Sequence, residues 1–108
     1  MDMTIDSKAD KWFKENVGIL PNYGIRFKPM LYGTSPIRET YALAFETNQA
    51  VGHINVKLMS DNNILYYVED DDVWFFDGYD LHIGYDDELD EPKYYYFKEN
   101  LRLIDNKV

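Results

Sequence analysis

Two stretches of period-two alternation bracket the segment Gly33-Thr34-Ser35-Pro36, and they limit what the chain can become. From Gly24 to Tyr32, Ile25, Phe27 and Leu31 fall on one side and Arg26, Lys28 and Met30 on the other. From Thr40 to Glu46, Tyr41, Leu43 and Phe45 align in the same way. That period fits half-buried strands and not helices. Pro29 has no N–H to give to a ladder, so it predicts an edge position or a bulge in the first strand. A strand, a tight polar loop and a second strand are therefore expected over 24–46.

One helix is equally legible. Asp6-Ser7 offers an N-cap pair ahead of ADKWFKENV. Ala9, Trp12, Phe13 and Val17 recur at helical spacing, with Lys8, Asp10, Lys11 and Lys14 placed opposite. Gly18 is a natural stop and Pro21 prevents resumption. Further on, Thr47 to Lys57 is weakly patterned and predicts a loop with a short strand. Ile64 to Val68 is β-favouring after the turn Asp61-Asn62-Asn63. Asp70-Asp71-Asp72 opens a short helix through VWFF, because carboxylates suit a helix N-terminus. Asp77-Gly78 is a turn, Leu81 to Tyr85 a strand, and Tyr94 to Phe97 the last strand. The fold class that follows is α+β and β-rich, with an N-terminal amphipathic helix and one further short helix.

With 108 residues, 45% hydrophobic and 17% aromatic, the chain suits one domain over 1–108 with a real core. No run approaches about 18 apolar residues, and MDMTIDSKADKW has neither a basic start nor an apolar stretch. A cytoplasmic protein without a membrane span is expected. The absence of cysteine excludes disulfides, thiolate metal sites and a cysteine nucleophile. The net charge of −9 is unevenly spread, since Glu69 to Glu91 contains no Lys or Arg. Such a block repels nucleic acid and anionic lipid, which bind through basic neutralisation of phosphate.

Four groups of residues invite functional readings. The Gly33–Pro36 loop is either a plain turn, with Gly33 permitting positive φ, or a nest. In the nest reading, backbone N–H groups with the Thr34 and Ser35 hydroxyls bind a small anion or a partner's carboxylate. A serine nucleophile there would need a base, and neither histidine has a context that supplies one. His82 is either a sheet-face histidine or a metal ligand joined by Asp77, Asp80 or Asp86, a set suited to iron, zinc or manganese. The turn from Asp86 to Pro92 lacks the alternation and mid-loop glycine of a calcium loop, so a solvated hairpin connection fits it better. Trp74, Tyr79, Tyr85 and Tyr95 belong to an aromatic set too large to be wholly buried, which suggests a protein-interaction surface or an oligomer contact.

The segment "VWFFDGYDLHIGYDDELDEPKYYYFKEN", with "KWFKE" and "YGTSPI", resembles the HesB-like, or A-type iron–sulfur carrier, family. Within it the chain is similar to the cysteine-free, Gram-positive YneR-type subgroup, over about residues 3 to 100. The resemblance implies a HesB-like domain and a tie to iron–sulfur cluster biosynthesis. Cluster-carrying members place one cysteine in the loop that is Gly33-Thr34-Ser35-Pro36 here, and a Cys-x-Cys pair near the tail that reads LRLIDNKV. Hydroxyls do not replace thiolates on an iron–sulfur cluster. The expectation is therefore a non-enzymatic adaptor that binds a protein partner and holds no cofactor of its own, with self-association also allowed. The alternative is a metal- or small-ligand-binding protein that uses His82 and nearby carboxylates for iron or another divalent metal.

Overall fold

The computed structural model describes residues 1–31 and 33–98, and the backbone of 101–105. The order of elements is β1 Met3–Ile5, α1 Ser7–Asn16, β2 Tyr23–Leu31, β3 Tyr41–Gln49, β4 Ile54–Met59 and β5 Leu65–Glu69. A 3₁₀ helix, Asp70–Phe76, then leads into β6 Asp80–Asp86, β7 Glu91–Lys98 and β8 Leu101–Asp105. The strands form two four-stranded sheets, ordered β1-β6-β7-β8 and β3-β2-β5-β4. Each sheet is mixed: β1 runs parallel to β6 and β2 parallel to β5, while the other pairs are antiparallel. The α+β, strand-rich reading with an N-terminal helix and a second short helix is what the chain adopts.

The two alternating stretches pair with each other. β2 and β3 stay in register from Tyr23↔Gln49 to Leu31↔Tyr41, with Phe27 opposite Phe45. Tyr32, read as the end of the first strand, lies outside the described residues. β2 is an inner strand, yet β5 pairs with it only at Ile25 and Arg26. Pro29 therefore sits where β2 has run past β5, and its missing N–H interrupts no ladder with β5.

Several expectations are corrected. β3 runs on to Gln49, and the short strand expected within 47–57 is β4, which extends past Lys57 to Met59. In β4, half-buried Ile54, Val56 and Leu58 alternate with exposed Asn55, Lys57 and Met59. The last strand is β8 and not β7. Asp6 takes the extended conformation of an N-cap, but its side chain makes no capping bond. Its N–H instead donates to the Ile83 carbonyl at 2.9 Å, which ties the helix entrance to β6. The helix ends at Val17 in an extended conformation, and the one glycine with positive φ among the described residues is Gly78, not Gly18. Asp10, assigned to the solvent face, is buried.

The core lies between the sheets and under α1. Phe13 of the helix is its hub, edge-on to Phe27, Phe45 and Tyr66 at centroid distances of 6.2, 5.0 and 5.5 Å. Phe27 in turn meets Tyr94 of the other sheet at 5.7 Å. Met3, Ala9, Ile25, Ile64, Val68, Phe75, Phe76, Leu81, Ile83 and Tyr96 are buried in the same cluster.

Candidate functional site

The loop between β2 and β3 is built from a tight turn. The Ser35 N–H donates to the Arg38 carbonyl at 2.9 Å, and the Arg38 N–H reaches back to the Ser35 carbonyl and hydroxyl at 3.3 and 3.0 Å. The Ser35 hydroxyl donates to the Arg38 carbonyl at 3.2 Å. Pro36 stands at the second position, where its fixed φ suits such a turn. The Ser35 N–H and hydroxyl are thus engaged within the turn, and the exposed Thr34 is left as the loop's open hydroxyl. Gly33 is needed for a reason other than positive φ. A Cβ there would lie 2.4 Å from the Ala42 Cβ and 3.1 Å from the Ala42 nitrogen. Gly33→Ala should cost about 1–3 kcal/mol in urea denaturation, as other overpacked sites do. A loss under about 0.5 kcal/mol would mean that the loop yields freely.

This turn aims Arg38 at the end of the 3₁₀ helix. The guanidinium donates to the Trp74 carbonyl at 2.7 Å and the Phe75 carbonyl at 3.3 Å. Those carbonyls belong to the last turn, where a helix leaves its acceptors unpaired. Asp77, left-handed at φ 49°, closes the element as its N–H meets the Trp74 carbonyl at 3.3 Å. The Trp74 ring stands edge-on to Tyr41 at 5.1 Å, with the Arg38 guanidinium 5.5 Å from its centre. Leu31 faces Tyr41 across the β2–β3 ladder. Leu31 and Trp74 are 50% and 46% exposed, so the cluster presents apolar surface to solvent.

Beside it lies a cleft of about 320 Å³ lined by Thr34, Ser35, Pro36, Leu43, Tyr94 and Tyr96. Burial, and then the Glu91 charge near Tyr94 and Tyr94 near Tyr96, push both phenols well above the ordinary tyrosine range. Both therefore stay protonated.

The proposed ligands of a metal do not come together. The His82 Nδ1 lies 2.7 Å from the Thr4 hydroxyl, and its ring sits near those of Tyr95 and Phe97. Asp80 accepts from the Asp2 N–H at 2.7 Å, Asp77 closes the 3₁₀ helix, and Asp86 accepts from the N–H groups of Glu88 and Leu89. Among the described residues, no group of three His, Asp or Glu side chains is placed to hold a metal ion. The metal-binding alternative is set aside on that geometry.

Of the four aromatics expected to share a surface, Tyr85 and Tyr95 line one cleft with Asp86 and Lys93, and Trp74 and Tyr79 have neighbours of their own. Trp74 belongs with Arg38 and Tyr41, Tyr79 lies under the Lys98 ammonium at 5.1 Å, and Tyr95 stands by His82 and Lys93. Tyr85 lies beside Lys8 of α1 and donates to Asp90, a bond that pushes its phenol up to about 12. Trp74 stands out in the sequence as a surface candidate, and its neighbours Arg38, Tyr41 and Leu31 do not. The spacing of Ser35, Pro36 and Arg38 announces a turn, yet nothing in it pairs position 38 with position 74.

No family model matches the chain, and no solved structure matches it. A curated protein of Bacillus subtilis (strain 168), named pyruvate dehydrogenase inhibitor, is 30% identical over 96 residues. The match spans 89% of this chain and 99% of that protein. The chain belongs to the family of that inhibitor. The relative's name speaks of enzyme inhibition and not of iron–sulfur biosynthesis, which overturns the HesB-like assignment and the cluster-biogenesis role that came with it. The motifs that suggested it are short aromatic–acidic runs, "DGYDLH" and "LDEPKY" among them. In this chain they close the 3₁₀ helix, build β6 and begin β7. Among the described residues, no helix is long and apolar enough to cross a membrane.

Proposed function

We propose that this chain is a regulatory protein without catalytic machinery of its own, and that it inhibits a pyruvate dehydrogenase by binding to it. The observation that carries the reading is the near full-length match to the B. subtilis inhibitor, which leaves no large region unshared. The geometry supports it. The Ser35 hydroxyl is engaged by its own turn, and the His82 Nδ1 is within hydrogen-bond distance of Thr4 on the neighbouring strand of its own sheet. Neither residue offers the nucleophile–base pair that covalent catalysis requires. The exposed Trp74 cluster, by contrast, has the composition of a protein contact.

The test is a titration. Purified protein added to the pyruvate dehydrogenase of its host, assayed by NADH formation, is expected to lower the rate in a saturable and reversible way. An unchanged rate up to about 100 μM inhibitor, well above the affinity of ordinary regulatory contacts, together with no co-sedimentation, would remove the proposal.

A further inference from the structure

We infer that the face formed by Leu31, Tyr41, Trp74 and Arg38 is the surface that docks on the inhibited enzyme, and that its counterpart there is a basic face with an apolar pocket. The inference rests on the inhibitor reading above and names the contact that reading requires.

Tryptophan, tyrosine and arginine carry most of the binding energy in protein interfaces when they meet at one well-packed spot. Here the three are already assembled. The Trp74 ring is edge-on to Tyr41 at 5.1 Å and beneath Arg38 at 5.5 Å, while its carbonyl is held by the Arg38 guanidinium at 2.7 Å. A side chain fixed in this way before binding loses little freedom on docking, which favours affinity. Leu31, opposite Tyr41, extends the apolar centre along β2.

The rim decides the partner's chemistry. Glu39, Asp71 and Asp77 are exposed, and each lies within three residues of Arg38 or Trp74. Asp71 and Trp74 are three apart on a 3₁₀ helix, where side chains at that spacing eclipse on one face. The chain from Glu69 to Glu91 has no Lys or Arg to offset them. The cations beside these three acids are Arg38, whose guanidinium is turned toward two carbonyls, and Lys98, whose ammonium lies next to Gly78 and over Tyr79, so the acids still outnumber the bases and the rim keeps a net negative charge. A second copy of the chain would bring the same acids against them, because a two-fold contact sets like patches face to face. A basic partner face gains from the same charges through faster association and correct orientation.

The experiment measures inhibition of pyruvate dehydrogenase and direct association by surface plasmon resonance, with circular dichroism as the check on folding. Trp74→Ala is expected to raise the inhibitory concentration about 30-fold or more, as hot-spot truncations do. The double variant Glu39→Lys, Asp71→Lys changes exposed positions only and leaves the left-handed Asp77 in place. It should slow association about tenfold at low salt and flatten its salt dependence. Val51→Ser, at an 83% exposed residue beyond the far end of β3, should change nothing.

If the native protein inhibits and both patch variants inhibit equally well while folded, the docking surface lies elsewhere and the inference is overturned. If the native protein self-associates and Trp74→Ala abolishes that without affecting inhibition, the face is a contact between copies and the inference is again overturned. If Trp74→Ala does not fold, the charge-reversal variant decides alone by its association rate. Failure of the native protein to inhibit or bind would instead strike the parent reading, and is told apart because no variant is needed to see it.

Discussion

Phe13→Ala is expected to cost about 3–5 kcal/mol of folding stability. The side chain is fully buried and touches three aromatic rings from three strands, β2, β3 and β5, in addition to its neighbour Trp12. Truncation removes the ring that α1 inserts between Phe27, Phe45 and Tyr66, and rigid aromatic walls collapse poorly into the gap. Edge-to-face partners are lost as well, each worth about 0.5–1.5 kcal/mol beyond buried area. A domain of this length holds about 5–15 kcal/mol in total, so the variant sits near the edge of unfolding. Urea denaturation followed by tryptophan fluorescence measures it, with Phe13→Leu as the milder comparison. A cost under about 1.5 kcal/mol would mean that the helix is not pinned through this residue.

The sequence made Phe13 legible because helical spacing and strand alternation both mark residues by the side they face. Alternation likewise marks the β2–β3 pair, while β5 is legible from β-favouring residues after a turn and the short helix from its leading carboxylates. Such patterning failed wherever burial was decided by a partner far along the chain. Asp10 stands at a polar position of the helical repeat, yet Asn62 and Tyr66 bring their donors to it from beyond β4 and from β5. Asp72 looks like a charge at a helix start, and instead turns in to meet Arg26 at 2.8 Å. β4 was obscured because one of its faces is solvated and the other only half buried, which weakens the contrast that alternation depends on. The site failed to read out for a related reason. Trp74 is conspicuous alone, but Arg38 and Tyr41 reach it across more than thirty residues of intervening chain.

Those long-range contacts also explain how so acidic a chain holds its 3₁₀ helix in place. Arg26 of β2 bonds Asp72 at 2.8 and 3.1 Å and lies within 3.5 Å of Glu69 and 3.4 Å of Glu46. Burial works against its charge, but Asp72, Glu69 and Glu46 more than offset that, so the guanidinium stays ionised. One cation therefore gathers three carboxylates that would otherwise repel one another. Arg38 clamps the opposite end of the same helix through the Trp74 and Phe75 carbonyls. With both ends fixed, Trp74 is displayed on a rigid element, as an interface anchor should be.

Asp10→Ala should be the most damaging polar substitution and should remove part of the protein's sensitivity to acid. The carboxylate is 2% exposed and accepts from the Tyr66 hydroxyl at 2.7 Å and the Asn62 amide at 2.7 Å. Burial alone would raise its pKa, but hydrogen bonds from Ser60, Tyr66 and Asn62 outweigh burial and hold it below the usual carboxylate value. A group whose folded pKa is depressed stabilises the fold above its unfolded pKa, near 3.9, and that contribution is lost as pH falls through the folded value. Asp10→Ala should thus cost about 2–4 kcal/mol at neutral pH, combining lost charged hydrogen bonds with stranded donors. The difference from the native protein should shrink as pH drops below about 4. Tyr66→Phe added to Asp10→Ala should cost much less than Tyr66→Phe alone, because the hydroxyl has by then lost its acceptor. Urea midpoints for the four proteins at neutral and acidic pH decide the matter. If the two substitutions are additive, the Asp10–Tyr66 bond does not stabilise the fold. If the gap fails to narrow in acid, the carboxylate is not held in its charged form by these donors.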